Sequence, residues 1–443
     1  MSEITVEVTD LLQRLIRNGC INDGTPDSGQ EIRSAELLAE HLHGCGVEME
    51  TFESLPGRAS LLARLEGSDR TAPTLMLMGH TDVVPVDPEG WQRDPLGGEL
   101  VDGVVWGRGA IDMLNLTASM AVATRRLAVS GRRPRGTLLF LAVADEEAGG
   151  KLGAGWLAEH ARDAIRCDYV ITENGGVLQH TPAGERIGIT VGEKGICWCR
   201  VTVHGTPGHG SRPLNSDNAL VKAAEVVTRL SGYRTAAHIT DAWRRWVAGM
   251  GFEPAVAEAL VDPARIWEGL DSLPHALASM AHALTHLTVS PNVIHGGAKT
   301  NVIPGRVELE IDIRKVPGQS DEDVLEFFDT ALGPLRSDVT IEVLQRNEPS
   351  ESAVATPLWH AITRAATAVY PDATCLPTLT AGGTDARFFR ALGVPAYGMA
   401  LYSRDMSLEQ FSAMFHANNE RVDQESLRLT VELYDAVARD LLG

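Results

Sequence analysis

Apolar and polar positions along this chain follow two periods. Residues 3–17 and 30–45 carry apolar side chains at helical spacing and read as amphipathic helices. Short apolar runs come next, each ending in polar residues. Leu75-Met76-Leu77-Met78 leads into Gly79-His80-Thr81-Asp82, and the run 137–143 leads into Asp145-Glu146-Glu147. Tyr169-Val170-Ile171 leads into Glu173-Asn174-Gly175-Gly176. Runs of this length fit strands buried on both faces of a parallel or mixed sheet. A helical pattern over 114–129 separates the first two, so strands and helices alternate and the fold class is α/β. In such sheets sites lie beyond the carboxyl ends of the strands, where these acids and histidines fall.

The pattern changes near residue 195. A strand run over 196–203 precedes a helical pattern over 217–230, with Ser216 as candidate N-cap. The stretch 235–285 is helix-like, and its Trp-rich part, 240–267, reads as packing within an inserted domain. Val307, Leu309, Ile311 and Ile313 then alternate with Glu308, Glu310, Asp312 and Arg314, as in a half-buried antiparallel strand. A helix over 320–332 follows, and α/β character returns from 356 to a final helix at 425–442. The predicted organisation is an α/β domain in two parts, 1–194 and 348–443, with an inserted α+β domain at 195–347.

Composition narrows the function. Thirty-nine basic against 59 acidic residues give a formal charge of −20, which argues against nucleic acid or an anionic membrane as the main partner. The N-terminus lacks the basic start and apolar core of a signal peptide, and no apolar stretch is long enough to span a membrane. The six cysteines (Cys20, Cys45, Cys167, Cys197, Cys199, Cys375) are dispersed, and the expectation is reduced thiols in a cytoplasmic protein. There is no GxSxG nucleophile elbow, Gly107-Arg108-Gly109 lacks the spacing of a dinucleotide loop, and Ser211 has no motif support as a nucleophile.

The chemistry rests on a set: His80, Asp112, Glu146, Glu147, Glu173 and His416. Two imidazoles and several carboxylates in apolar surroundings suit zinc, and so many carboxylates without a cation would repel one another. The sequence resembles the co-catalytic zinc peptidase family of aminoacylases, vacuolar carboxypeptidase S, glutamate carboxypeptidase and succinyl-diaminopimelate desuccinylase. The resemblance is carried by Gly79-His80-Thr81-Asp82-Val83-Val84-Pro85-Val86, Trp106-Gly107-Arg108-Gly109-Ala110-Ile111-Asp112-Met113 and Ala144-Asp145-Glu146-Glu147-Ala148-Gly149-Gly150. Glu173-Asn174-Gly175-Gly176, Gly382-Gly383-Thr384-Asp385-Ala386-Arg387 and His416-Ala417-Asn418-Asn419-Glu420 continue it in family order.

The resemblance implies a mixed-sheet zinc-peptidase catalytic domain with an inserted lid and dimerisation domain. Asp112 would bridge two Zn2+ ions, His80 and Glu173 completing one site and Glu147 and His416 the other; cobalt or manganese fits the same donors. Glu146 would be the general base, Asp82 would orient the His80 imidazole, and the Asp112–Met113 peptide would be cis. In the lid, Thr206-Pro207-Gly208-His209-Gly210-Ser211 places His209 as the oxyanion donor, reaching a partner's site in a homodimer, while His204 reads as structural. Asn301 would contact substrate and Arg314 would grip its carboxylate, with Arg387 a second carboxylate candidate or a structural ion pair. Leu114-Asn115 replaces the family's usual Lys-Gly, which predicts an altered pocket wall. The expected substrate is a small carboxylate-bearing amide. An N-acyl amino acid is the first choice, a dipeptide or carboxypeptidase substrate the second. A non-catalytic zinc-binding scaffold is the contrasting reading.

Overall fold

The computed structural model describes residues 2–443. The apolar runs form the middle of a ten-stranded mixed sheet. Its order runs Glu48–Leu55, Arg58–Leu65, Thr137–Val143, Thr74–His80, Tyr169–Thr172, Ala396–Gly398, Gly184–Glu193 and Ser350–Glu351, with Leu178–Thr181 and Thr374–Thr380 also on Gly184–Glu193. Thr74–His80 lies parallel to both Thr137–Val143 and Tyr169–Thr172. His80 therefore stands level with Val143, just before the Asp145-Glu146-Glu147 turn. Helices Glu3–Asn18, Leu114–Val129 and Gln424–Leu442 share one core with this sheet. A second core under the other face gathers Met76, Met78, Leu139 and Leu141 with Leu157 and Phe389. Burial on both faces explains why these strands read as unbroken apolar runs.

A second, four-stranded antiparallel sheet has the order Thr288–Gly296, Arg306–Lys315, Gly195–His204, Val339–Arg346. The predicted alternation holds: Val307, Leu309, Ile311 and Ile313 are buried against helices Ala219–Gly232 and Asp321–Leu332. The first of these helices starts later than expected. Asn218, not Ser216, caps it by accepting the Leu220 N–H, while the Ser216 hydroxyl turns back to the Pro213 carbonyl.

The Trp-rich stretch departs from expectation more deeply. Helices Asp241–Met250, Pro254–Val261, Ile266–Asp271 and His275–Thr285 do not pack with the lid core. Trp243, Trp246, Leu260, Ile266 and Leu284 join the core of the large sheet, with Asp241–Met250 seated on Thr374–Thr380. A helix's apolar stripe announces that it will be buried but not against which body.

The chain enters the smaller-sheet body at Glu193–Gly195 and again at His286–Thr288, and returns from it over 233–240 and at Asn347–Ser350. At the first entry a Cβ on Gly195 would lie 2.5 Å from Pro349 N and 2.6 Å from Asn347 O, so only glycine fits. Beside it the fully buried Lys194 donates to the carbonyls of Ala283 (2.7 Å) and His286 (2.8 Å) and to the Thr288 hydroxyl (2.9 Å), tying the first entry to the second.

His286 itself is fully buried, stacked on His282 and beside Trp267, with Nε2 unpartnered. Burial, helped by His282, pushes its imidazole down to about 4. Between about pH 6.5 and about pH 4 the unfolded chain takes up a proton here that the folded protein refuses, so stability falls as pH falls through that window. The loss is bounded by about 3 kcal/mol. His286→Phe, which keeps the ring stack, is expected to flatten the dependence of Tm on pH over this interval. Calorimetric melts across the window check this, and an unchanged slope would refute it.

Candidate active site and metal centre

The three predicted strand ends converge. His80 closes Thr74–His80, Glu146 and Glu147 sit in the turn after Thr137–Val143, and Glu173 follows Tyr169–Thr172. Asp112 comes from the loop before helix Leu114–Val129, and His416 from the loop after helix Leu408–Met414, with φ +54°. Potential ligand atoms of His80, Asp112 and Glu173 all lie within 4.8 Å of one another, as do those of Asp112, Glu147 and His416. Asp112 belongs to both groups: Oδ1 is 3.2 Å from His80 Nε2 and Oδ2 is 3.3 Å from His416 Nε2. His416 Nε2 also lies 3.2 Å from Glu147 Oε2. The Asp112–Met113 peptide is cis.

The electrostatics fit a cation here. Burial, reinforced by neighbouring carboxylates, pushes Glu146 and Glu173 well above the usual carboxylate range and raises Glu147. Hydrogen bonds to Asp112 and Glu147 lift His416 to about 10. Burial alone would raise Asp112, but the hydrogen bonds from His416 and His80 hold it below its usual value. Glu147 Oε1 is buried with no partner. Carboxylates that must otherwise protonate, an orphaned carboxylate oxygen and two imidazoles in an O/N-only donor set together match a borderline divalent ion.

Asp82 acts differently from expectation. His80 Nδ1 bonds the Asp82 backbone carbonyl at 2.9 Å, while the carboxylate is 3.6 Å away. The carboxylate instead accepts the backbone N–H groups of Glu146 (3.2 Å) and Glu147 (3.1 Å). Asp82 thus fixes the turn that carries both glutamates as well as the imidazole. Asn22 supports it, donating Nδ2 to Asp82 Oδ2 at 2.8 Å and reaching Asp145 Oδ1 at 3.3 Å. Asp145 is held by Arg58, which also pairs with Glu31, and all three side chains are buried. The other flank is held by Glu420, whose Oε1 accepts the N–H groups of Ile111 and Asp112 and whose Oε2 meets Arg108. The sequence offered little sign of Asn22, Arg58 or Glu31. Glu420 and Asp145 lay inside quoted motifs, without the role that their contacts give them.

A cleft of about 570 Å³ opens on this cluster, walled also by Trp198, Arg314, Phe415 and Arg387. Arg387 donates to the carbonyls of Thr384 (2.6 Å) and Gly149 (2.7 Å), leaving Nε buried and unpartnered, and Asp385 lies only at 4.0 Å. His209 and Asn301 are exposed on a two-stranded ribbon, where the Gly210 N–H bonds the Asn301 carbonyl, and neither lines the cleft. Ser211 bonds His209 Nδ1, and His204 bonds Thr340. Leu114 and Asn115 are buried away from the cleft, so the expected change in the pocket wall is not found. All six cysteines are free thiols. Among the described residues no helix is long and apolar enough to cross a membrane.

Comparison with known proteins places this geometry. Human aminoacylase-1 is 27% identical over 417 residues, covering 92% of this chain and 89% of the relative. Succinyl-diaminopimelate desuccinylase of Alkalilimnicola ehrlichii is 27% identical over 412 residues, covering 92% and 93%. The crystal structure of an M20 family metallo-carboxypeptidase from Sulfolobus solfataricus superposes with a TM-score of 0.72 at 19% identity, covering 100% of this chain and 99% of that one. Since residues 76–440 match peptidase family M20/M25/M40 as one continuous span, the chain belongs to that family and is a hydrolase.

Proposed function

We propose that the enzyme hydrolyses the amide bond of a small carboxylate-bearing substrate, an N-acyl amino acid, with Glu146 as general base beside two zinc ions. The observation that carries this reading is the pair of donor groups sharing Asp112, with Glu146 next in sequence to a donor yet outside both groups. His80, Asp112 and Glu173 would hold one ion, and Asp112, Glu147 and His416 the other. When bound, such a pair supplies Lewis-acid activation of water and of the scissile carbonyl. Glu146 takes the proton from the attacking water as the new C–O bond forms. It then delivers that proton to the amine nitrogen as the C–N bond breaks, giving a carboxylic acid and a free amino acid. Arg314 meets the substrate carboxylate, and Arg387 stands as a second cation on the cleft wall.

His209 and Asn301 would act on the cleft of a second copy. Exposed Val293 and Ile294 on the edge strand Thr288–Gly296, with exposed Leu220 and Val221 on the adjoining helix, support a homodimer built through this domain.

A dipeptidase needs an acceptor for the free α-ammonium. Outside the donor groups and Glu146, Asp23 is the acidic side chain lining the cleft, and its Oδ1 already accepts the Thr25 N–H and hydroxyl. Similarity to human aminoacylase-1 over 92% of this chain supports an acylated nitrogen instead. Amine release from a panel of N-acyl amino acids, N-succinyl amino acids and dipeptides, with zinc-loaded and chelated protein, tests the reading. Metal-dependent turnover confined to the acylated substrates is the expected result. Turnover of dipeptides alone, or of nothing in the panel, would overturn it.

A further inference from the structure

Resting on the proposed role of Arg314 as the carboxylate clamp, we infer that Asp312 and Trp198 are positioning residues that set the guanidinium and thereby determine the preference for a free carboxylate. Asp312 sits two residues before Arg314 on the strand Arg306–Lys315, so the two side chains share a face. Arg314 Nε donates to Asp312 Oδ1 at 2.7 Å and Nη2 to Oδ2 at 3.1 Å. This two-point grip fixes the guanidinium plane. Asp312 is fixed in turn by the neighbouring strand, since the Trp198 indole N–H donates to the same Oδ1 at 2.9 Å. The Trp198 ring also stands beside the guanidinium, 5.9 Å from centroid to Cζ. Both Trp198 and Arg314 line the cleft, whereas Asp312 lies behind them.

Physical reasons assign this arrangement to positioning rather than to stability. Asp312 and Arg314 are each partly open to solvent, where an ion pair adds little to folding. An arginine on a flexible stem otherwise samples many rotamers, and each must be lost when substrate binds. Committing Nε and Nη2 to Asp312 leaves Nη1 with no partner among the described residues and offers it, with the free N–H of Nη2, to the ligand. Asp312 also offsets the arginine charge. A substrate carboxylate then gains two directed, charge-assisted hydrogen bonds, whereas a carboxamide of the same shape sets an NH2 donor against one of the guanidinium N–H groups.

The test compares an N-acyl amino acid with its C-terminal carboxamide for the wild-type enzyme, Asp312→Asn and Trp198→Phe. In Asp312→Asn, KM for the acid is expected to rise about tenfold, the scale of one charged hydrogen bond, with kcat within about twofold. Values for the carboxamide should stay near wild type, so discrimination between acid and amide falls about tenfold. Trp198→Phe keeps an aromatic side chain but loses the indole N–H and the fused five-membered ring, so a drop in the same direction of about threefold is expected. Calorimetric titration of the product amino acid and its amide should show the same loss of discrimination without turnover. A merely structural role would lower both substrates together and shift Tm. Parallel losses, or unchanged discrimination in Asp312→Asn, overturn the inference. If the wild type hydrolyses neither compound, it is the N-acyl amino acid reading that has failed, and the inference falls with it.

Discussion

Glu146→Gln will lose between about a hundredfold and ten-thousandfold in kcat, the range general-base catalysis supplies, while keeping its metal and nearly its KM. Glu146 belongs to neither donor group, so its carboxylate can be neutralised without removing a ligand. Glutamine preserves the backbone N–H that Asp82 accepts, so the turn that also presents Glu147 stays in place. The measurement is steady-state kinetics paired with elemental analysis of the same preparation. Retained metal with lost turnover separates the base from the ligands. Full activity would remove Glu146 from the mechanism, and metal loss would reassign it as a donor.

The second large effect belongs to Asp112. It is the residue common to both groups, with one carboxylate oxygen near His80 and the other near His416. Asp112→Asn keeps the shape but removes the charge and half the acceptor capacity. Metal content is expected to fall at both positions together. Affinity should drop by more than about a hundredfold, since even groups behind a ligand cost ten to a hundredfold. Glu173→Gln should weaken only the group containing His80, and Glu147→Gln only the group containing His416. Stoichiometry by mass spectrometry under native conditions distinguishes these patterns. Loss of metal at one position only from Asp112→Asn would show that it does not bridge.

Much of the site was legible because its donors stand where apolar runs stop. His80, Glu146, Glu147 and Glu173 each stand at the end of a run that fits a doubly buried strand, and strand ends are where such sheets place ligands. Asp112 and His416 had no such marker and were found through motif resemblance. Asp82 was visible as a residue but not in its full work, because which atoms a carboxylate accepts depends on a turn that folds 64 positions later. Asn22, Arg58 and Glu31 act through long-range contacts with no local period. The Trp-rich helices were recognisable as buried helices, yet the choice between the two cores is made by Thr374–Thr380, far along the chain. The cap of Ala219–Gly232 moved from Ser216 to Asn218 because a loop can offer two good capping side chains and geometry picks one.

The anchoring of the Asp112 segment by Glu420 bears on biosynthesis. His80, Asp112, Glu147 and Glu173 are all synthesised long before Glu420, and the amides of Ile111 and Asp112 have no acceptor until Glu420 follows. The strand Ala396–Gly398, wedged between Tyr169–Thr172 and Gly184–Glu193, is likewise a late arrival. A nascent chain that has not yet reached Glu420 therefore carries most of the donors without the frame that aligns them, so alignment of the donor groups waits on contacts made far along the sequence.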